Sequence, residues 1–279
     1  METFESEIPL SYSTVKVTKS RISKNLLVIP VSLADLLPKN KGTIYLINEN
    51  GEWEGKRYTP NTSSTRECRI GGLKKFYADY SVQDGDELVI QKIDEGKFRL
   101  MPESLFRQRF QLSLSSLENS ASDEAVQQSL DDMVKITNAS PELILENEFV
   151  RLANTSSIQK RAVSKVKQGT RKESVPLYLR KVLQTVYYGQ CQLSGFTFLT
   201  RNGNPYFEIH HIDSEQGNHL KNLLVVCPNI HAQFTHANVE QTFDQDGWLR
   251  TVKFNGVFYT VFQRIDELQR IFEKKVHST

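Results

Sequence analysis

Two adjacent histidines, His210 and His211, close the extended segment Glu208-Ile209-His210-His211-Ile212, and a third, His231, follows Asn222-Leu223-Leu224-Val225-Val226-Cys227-Pro228-Asn229-Ile230. Imidazole titrates near neutrality, so it can take a proton from water or bind a metal ion when neutral. In a strand, neighbouring side chains point to opposite faces. Two histidines at a strand end can therefore divide the work, one holding a metal while the other meets a water. His231 falls on a predicted helix facing back toward this segment. His219 and His236 lie off the pattern and read as supporting or surface residues, and the spacing does not demand Asp213 or Glu215 at a metal.

The elements that must position these residues are legible around them. A helix is expected over 176–188, ended by Gly189. Short extended stretches follow over 195–199 and 206–212, then a loop through Gly217 and a helix over 229–237. Asn255-Gly256 between two apolar runs is a strong hairpin signal, and a last helix covers 265–275.

This constellation resembles the HNH nucleases, over roughly residues 160–240. The matching signals are the double histidine after an apolar strand, the Gly-containing loop and the run from Asn222 to His231. The stretch from Leu179 to Gly195 looks like the lead-in helix of HNH restriction enzymes. The resemblance implies a β-hairpin crossed by one helix around a single divalent cation, Mg²⁺ or Mn²⁺. It makes His211 the general base and His210 and His231 the metal ligands. Asn222 would brace the loop and orient His211. Phosphodiester hydrolysis needs an activated water and neutralised phosphate charge, which a base and a cation supply. Many such proteins bind a structural zinc through two Cys-x-x-Cys pairs. Here Ser194 and Ile230 stand where the second thiols would be, so no structural zinc is expected and Cys191 and Cys227 are read as small apolar side chains.

Upstream, residues 1–102 read as β-rich, with runs at 14–18, 26–29, 43–47 and 87–90 and short helices at 32–37 and 73–80. Lys19 to Asn25 leads into Leu26-Leu27-Val28-Ile29-Pro30; Gly71-Gly72-Leu73-Lys74-Lys75-Phe76 and the Gly85-Asp86 turn follow in order. This order resembles the B3 DNA-binding domain, which implies a pseudobarrel with two loop arms in the DNA major groove. The arms map to 18–25, with Lys19, Arg21, Lys24 and Asn25, and to 58–67, with Arg57, Asn61, Ser63, Ser64 and Arg66 as contact candidates. Such side chains read base edges or grip phosphates.

Between the two lie a polar, Ser-rich stretch at 113–122, read as a linker, and helices over 123–136 and 141–153, the latter opened by Ser140-Pro141. Six basic and no acidic residues follow between Asn154 and Lys172, Lys165 and Lys167 among them, suiting contact with a phosphate backbone. The chain of 279 residues has a net charge of +2, 38% hydrophobic and 24% charged residues, so DNA contact must come from such local patches. Its three cysteines are no disulfide framework, no signal-peptide core opens it and no apolar run reaches membrane-span length, so a cytoplasmic protein is expected.

The expected architecture is α+β: a B3-like domain over 1–105, a helical linker with the basic segment over 106–175, and a ββα-metal nuclease domain over 176–279. The expected function is a site-specific, type II-like restriction endonuclease on double-stranded DNA, working as a homodimer because one such site cuts one strand. Two alternatives stay open: a nuclease that reads methylcytosine, with Trp53, Tyr58, Phe76 and Tyr77 as aromatic candidates, or a non-catalytic DNA-binding regulator with a degenerate HNH domain.

Overall fold

The computed structural model describes residues 12–48, 50–61, 67–154, 159–166 and 169–277; for 164–166, 169–172 and 273–277 only the backbone is described. The chain divides into two compact units, one of residues within 10–113 together with 135–138, the other of residues within 114–134 and 139–279.

The first unit runs β1 (Ser13–Lys16), α1 (Lys19–Ser23), β2 (Leu26–Pro30), a 3₁₀ turn (Val31–Leu36), β3 (Gly42–Ile47), β4 (Trp53–Thr59), β5 (Glu67–Gly71), α2 (Lys74–Asp79), β6 (Glu87–Asp94) and β7 (Lys97–Pro102). Its seven strands form one sheet in the order β1-β6-β7-β3-β4-β5-β2, antiparallel except for β3 and β7. The outermost strands β1 and β2 approach each other, so the sheet curls into a pseudobarrel, as expected. Alternation decides which side chains fill it: Val15, Leu27, Ile29, Ile44, Leu46, Tyr58, Ile70, Leu88, Ile90 and Phe98 point inward and are buried. Tyr77 of α2 plugs one end, its hydroxyl donating to Leu26 O at 2.9 Å.

Three further strands are β4, where charged residues and a glycine interrupt the pattern (Trp53-Glu54-Gly55-Lys56-Arg57), and β5 and β7, which alternate only a short apolar set, Cys68 and Ile70 or Phe98 and Leu100, with charged residues. Another correction concerns the first arm. Lys19–Ser23 is one turn of helix rather than an open loop, with Arg21 N and Ile22 N both donating to Thr18 O. It ends at Asn25, whose φ of 53° lies in the left-handed region that asparagine tolerates.

Next come α3 (Glu103–Glu118), α4 (Asp123–Thr137) and α5 (Pro141–Ala153). The Ser-rich stretch assigned to a linker is therefore helical as far as Glu118, with Leu114 and Leu117 buried. Helix α5 starts as its sequence dictates, Ser140 Oγ accepting from Leu143 N at 3.2 Å with Pro141 in the first turn. The basic segment within the expected helical linker forms a hairpin, β8 (Val163–Val166) and β9 (Gly169–Lys172). Helix α6 (Leu177–Tyr187) buries Leu179, Val182, Leu183 and Val186, one stripe at helical spacing. Tyr188 and Gly189 end it at φ 55° and 64°.

The last elements are β10 (Glu208–His211), β11 (Leu223–Val226), α7 (Pro228–His236), β12 (Val239–Phe243), β13 (Leu249–Phe254), β14 (Val257–Thr260) and α8 (Ile265–His277). Asn255 and Gly256, both at positive φ, turn β13 into β14 as expected, whereas β12, mostly exposed and polar, went unread. Cys191, Leu224, Val226, Cys227, Ile230, Leu249, Val252 and Phe254 form one core beneath β11 and α7. No helix among the described residues is long and apolar enough to cross a membrane.

Candidate active site and nucleic-acid interface

Strand β10 pairs with β11 in antiparallel register, Glu208 opposite Val226 and His211 opposite Leu223. All four residues of β11 are buried, which fixes the register of the polar strand beside them. Arg180 of α6 anchors the entry to β10, donating to Phe207 O at 2.9 Å and lying over the Phe207 ring. Gln192, buried, holds the other strand: its Oε1 accepts from Val225 N at 2.8 Å and its Nε2 donates to Phe262 O at 2.9 Å.

Helix α7 crosses this hairpin. Glu208 and His210, two residues apart on β10, share the face toward it. His231 and Phe234, three apart on α7, share the face toward β10. The His210 ring stacks on Phe234, centroids 4.1 Å apart, and meets the His231 ring edge-on at 5.2 Å. Burial first, then the neighbouring His231 and His211, pulls His210 from its ordinary value near 6.5 down to about 4. It is a neutral imidazole at physiological pH, the form that binds metals.

Glu208 Oε2 lies 2.5 Å from His231 Nδ1. A carboxylate only accepts, so Nδ1 donates and the lone pair of a neutral His231 falls on Nε2. A carboxylate behind a histidine is the usual support of a metal-binding imidazole. Sequence alone marks Glu208 only as part of the strand, although its place two residues before His210 puts it on the same face.

His211 points to the opposite face of β10 from His210, and its Nε2 is 3.0 Å from Asn218 Oδ1. Asn222, buried, braces the intervening loop: Nδ2 donates to the carbonyls of Asp213 (3.0 Å), Gln216 (3.2 Å) and Gly217 (3.2 Å), while Oδ1 accepts from Asp213 N (2.8 Å). The bracing expected of Asn222 is there, but the side chain placed on His211 is that of Asn218. His219 caps the short 3₁₀ turn Leu220–Asn222, its Nδ1 accepting from Lys221 N. Asp213 is spent on the loop, accepting from Glu215 N and from Gln216 Nε2.

Among the described residues no cluster of three or more His, Cys, Asp or Glu side chains is arranged to hold a metal ion. Two imidazoles, His210 and His231, do face one another, and a hard cation fills the rest of its shell from water and phosphate oxygens. Two imidazole donors are thus brought to one place, fewer than a cation held by protein alone requires. At the positions of the zinc pairs, Ser194 Oγ lies 3.7 Å from Cys227 Sγ, and Cys191, Cys227 and Ile230 are packed in the core. Burial alone would raise the Cys191 thiol. Hydrogen bonds from the Ser194 hydroxyl and the backbone of Cys227, Leu193 and Ser194 outweigh it and hold the thiol low.

On the pseudobarrel, Lys19 and Lys24 are exposed, and Arg21 is half-buried and donates to Lys16 O. Asn25 also has a backbone task, its carbonyl accepting from Gly72 N and Leu73 N. Arg57 and Asn61 are exposed; Ser63, Ser64, Arg66 and Lys167 lie outside the described residues, as does the side chain of Lys165. Register aligns Leu26, Gly71 and Arg57 at one end of β2, β5 and β4, and Val28, Arg69 and Thr59 two residues on. Arg57 and Arg69 thus share an outer face, and Arg69 was missed because β5 was. Of the four aromatics weighed for a base pocket, Tyr58 and Tyr77 are core, Lys97 lies over the Trp53 ring, and Phe76 lines a cavity of about 320 Å³ with Tyr80.

No family model and no curated protein matches this chain. Its N-terminal third is similar to two solved structures from Arabidopsis. One is a hypothetical Arabidopsis thaliana protein (19% identity, 33% of this chain and 88% of that one, TM-score 0.27). The other is a FUS3–DNA complex (14% identity, 33% and 94%, TM-score 0.25).

Proposed function

We propose that this chain is a metal-dependent DNA endonuclease of the HNH type, targeted by its N-terminal pseudobarrel. The observation that carries the reading is the division of labour at the end of β10. His210 turns toward His231 while His211 turns to the other face, and a loop held by Asn222 lies between. His210 and His231 would hold one Mg²⁺ or Mn²⁺, with Glu208 behind His231. Bound there, the cation neutralises charge on the scissile phosphate and the leaving oxygen. His211 would take the proton of the attacking water, and Asn222 keeps the loop beneath it in place. Exposed Lys19, Lys24, Arg57 and Arg69 suit contact with a phosphate backbone or base edges. Because one such site cuts one strand, a double-strand break calls for two copies, and a homodimer belongs to this reading.

The test is incubation of the full chain with methylated and unmethylated plasmid in Mg²⁺, Mn²⁺ or EDTA. Cleavage in the metals alone is expected, with 5′-phosphate and 3′-hydroxyl ends. His211→Ala should lower the rate by about 10²–10⁴-fold while DNA binding persists. Binding without cleavage in either metal would replace the nuclease reading with that of a DNA-binding regulator. Cleavage of methylated plasmid only would make the pseudobarrel a reader of modified cytosine.

A further inference from the structure

The chain on either side of the basic hairpin is joined to the loop beside His211 by three hydrogen bonds, the two backbone ones framing an antiparallel bridge between Lys160 and Gln216. Gly217 N donates to Gln159 O at 2.7 Å, Arg161 N to Glu215 O at 2.8 Å and Asn218 Nδ2 to Ser174 O at 3.0 Å. The arm's base is closed by Arg161, whose guanidinium donates twice to Glu173 O. The contact is close: a Cβ at Gly217 would sit 3.1 Å from Gln159 O. Nothing in the HNH resemblance assigns a role to Asn218, yet it is the side chain that touches both the arm and His211.

Its chemistry has one consistent solution. A primary amide has a donating end and an accepting end, and a backbone carbonyl only accepts. Ser174 O therefore takes Nδ2, and Oδ1 is left facing His211 Nε2. Because Oδ1 only accepts, Nε2 must carry the hydrogen, and a neutral ring then has its lone pair on Nδ1. We propose that Asn218 is the positioning residue for His211: held by the arm's Ser174 carbonyl, it fixes the Nε2–H tautomer and presents Nδ1 as the basic nitrogen. The base is thereby tied, through Ser174, to the segment with the densest basic run in the chain. The word "base" rests on the nuclease reading above; the tautomer does not.

The experiment is ¹⁵N-histidine NMR of the full chain at pH 8, with long-range ¹H–¹⁵N correlations reporting the His211 tautomer, alongside steady-state nicking of plasmid. The wild-type chain should show the Nε2–H form. Asn218→Ala should lose that preference and lower kcat by about 10–100-fold, with KM little changed. Asn218→Asp keeps an acceptor toward His211 but cannot donate to Ser174 O, so it should show the Nε2–H form more than Asn218→Ala and less than the wild type. An Nδ1–H ring in the wild type overturns the proposal, as does Asn218→Ala with tautomer and kcat unchanged. If Asn218→Ala does not fold, the tautomer of the wild-type ring decides alone, an Nδ1–H form overturning the proposal. A wild-type chain that never cuts DNA, yet shows an Asn218-dependent Nε2–H form, defeats the nuclease reading alone.

Discussion

The carboxylate of Glu208 on β10 and Nδ1 of His231 on α7 are joined by a hydrogen bond, so strand and helix are linked through the ring proposed to bind metal. Removing the carboxylate frees the ring to rotate and to exchange tautomers. Glu208→Ala should weaken Mn²⁺ binding by about 10–100-fold, and Glu208→Gln, which can still accept from Nδ1, by less. Isothermal titration of the metal into the full chain checks this without reference to activity. Equal affinity in all three proteins would mean that the cation does not bind at His231.

From a buried position Asn222 shares the two hydrogens of Nδ2 among three loop carbonyls and accepts one loop N–H at Oδ1. Each such bond contributes about 1 kcal/mol net, and orphaned buried groups cost more. Asn222→Ala should lower stability by about 2–4 kcal/mol, read as a shift in the urea midpoint. Asn222→Asp should cost at least as much, since a carboxylate donates to none of the three carbonyls.

Between pH 4 and 6.5 the unfolded chain carries a proton on residue 210 that the folded chain does not, because folding lowers His210 to about 4. Unfolding therefore takes up a proton in that window, and His210 makes stability rise with pH across it. A His210→Asn variant should show a flatter pH dependence of urea midpoint from pH 4 to 6.5, measured without added metal. A slope as steep as the wild type's would place the responsible group elsewhere.

Gly189 ends α6 at φ 64°, and a Cβ there would lie 2.5 Å from Pro205 Cβ. Both the left-handed backbone and the collision penalise any side chain. Gly189→Ala should cost about 2–4 kcal/mol, visible as a lowered thermal midpoint with the far-ultraviolet spectrum unchanged at low temperature.

The parts of this molecule that a linear reading reaches are those whose signals are local. Ser140-Pro141 opens a helix, Asn255-Gly256 turns a hairpin and the alternating residues of β2 and β6 fill a barrel, each through its immediate neighbours. The histidines and Asn222 were legible by their spacing, and the buried strand β11 brings them together. Asn218 and Glu208 were not, because their roles depend on partners at Ser174 and His231, set by tertiary packing. Strand β5 and the 163–172 hairpin were hidden for another reason: β5 offers only Cys68 and Ile70 as an alternating apolar pair, and the hairpin is mostly polar and charged, so backbone pairing makes it.

The loop between β10 and β11 also bears on how this chain can tolerate change in length. Surface loops ordinarily accept an extra residue or two at little cost. Here one amide, Asn222 Nδ2, reaches the carbonyls of residues 213, 216 and 217, while Gln159 and Arg161 grip the same stretch from outside. An inserted residue would break at least one grip, so 213–217 is a fixed gauge against which the histidines are set. Length can be gained instead at the turn closed by Thr200 and Asn204, where residues 201–204 are exposed and Thr200 bonds to residues 203 and 204.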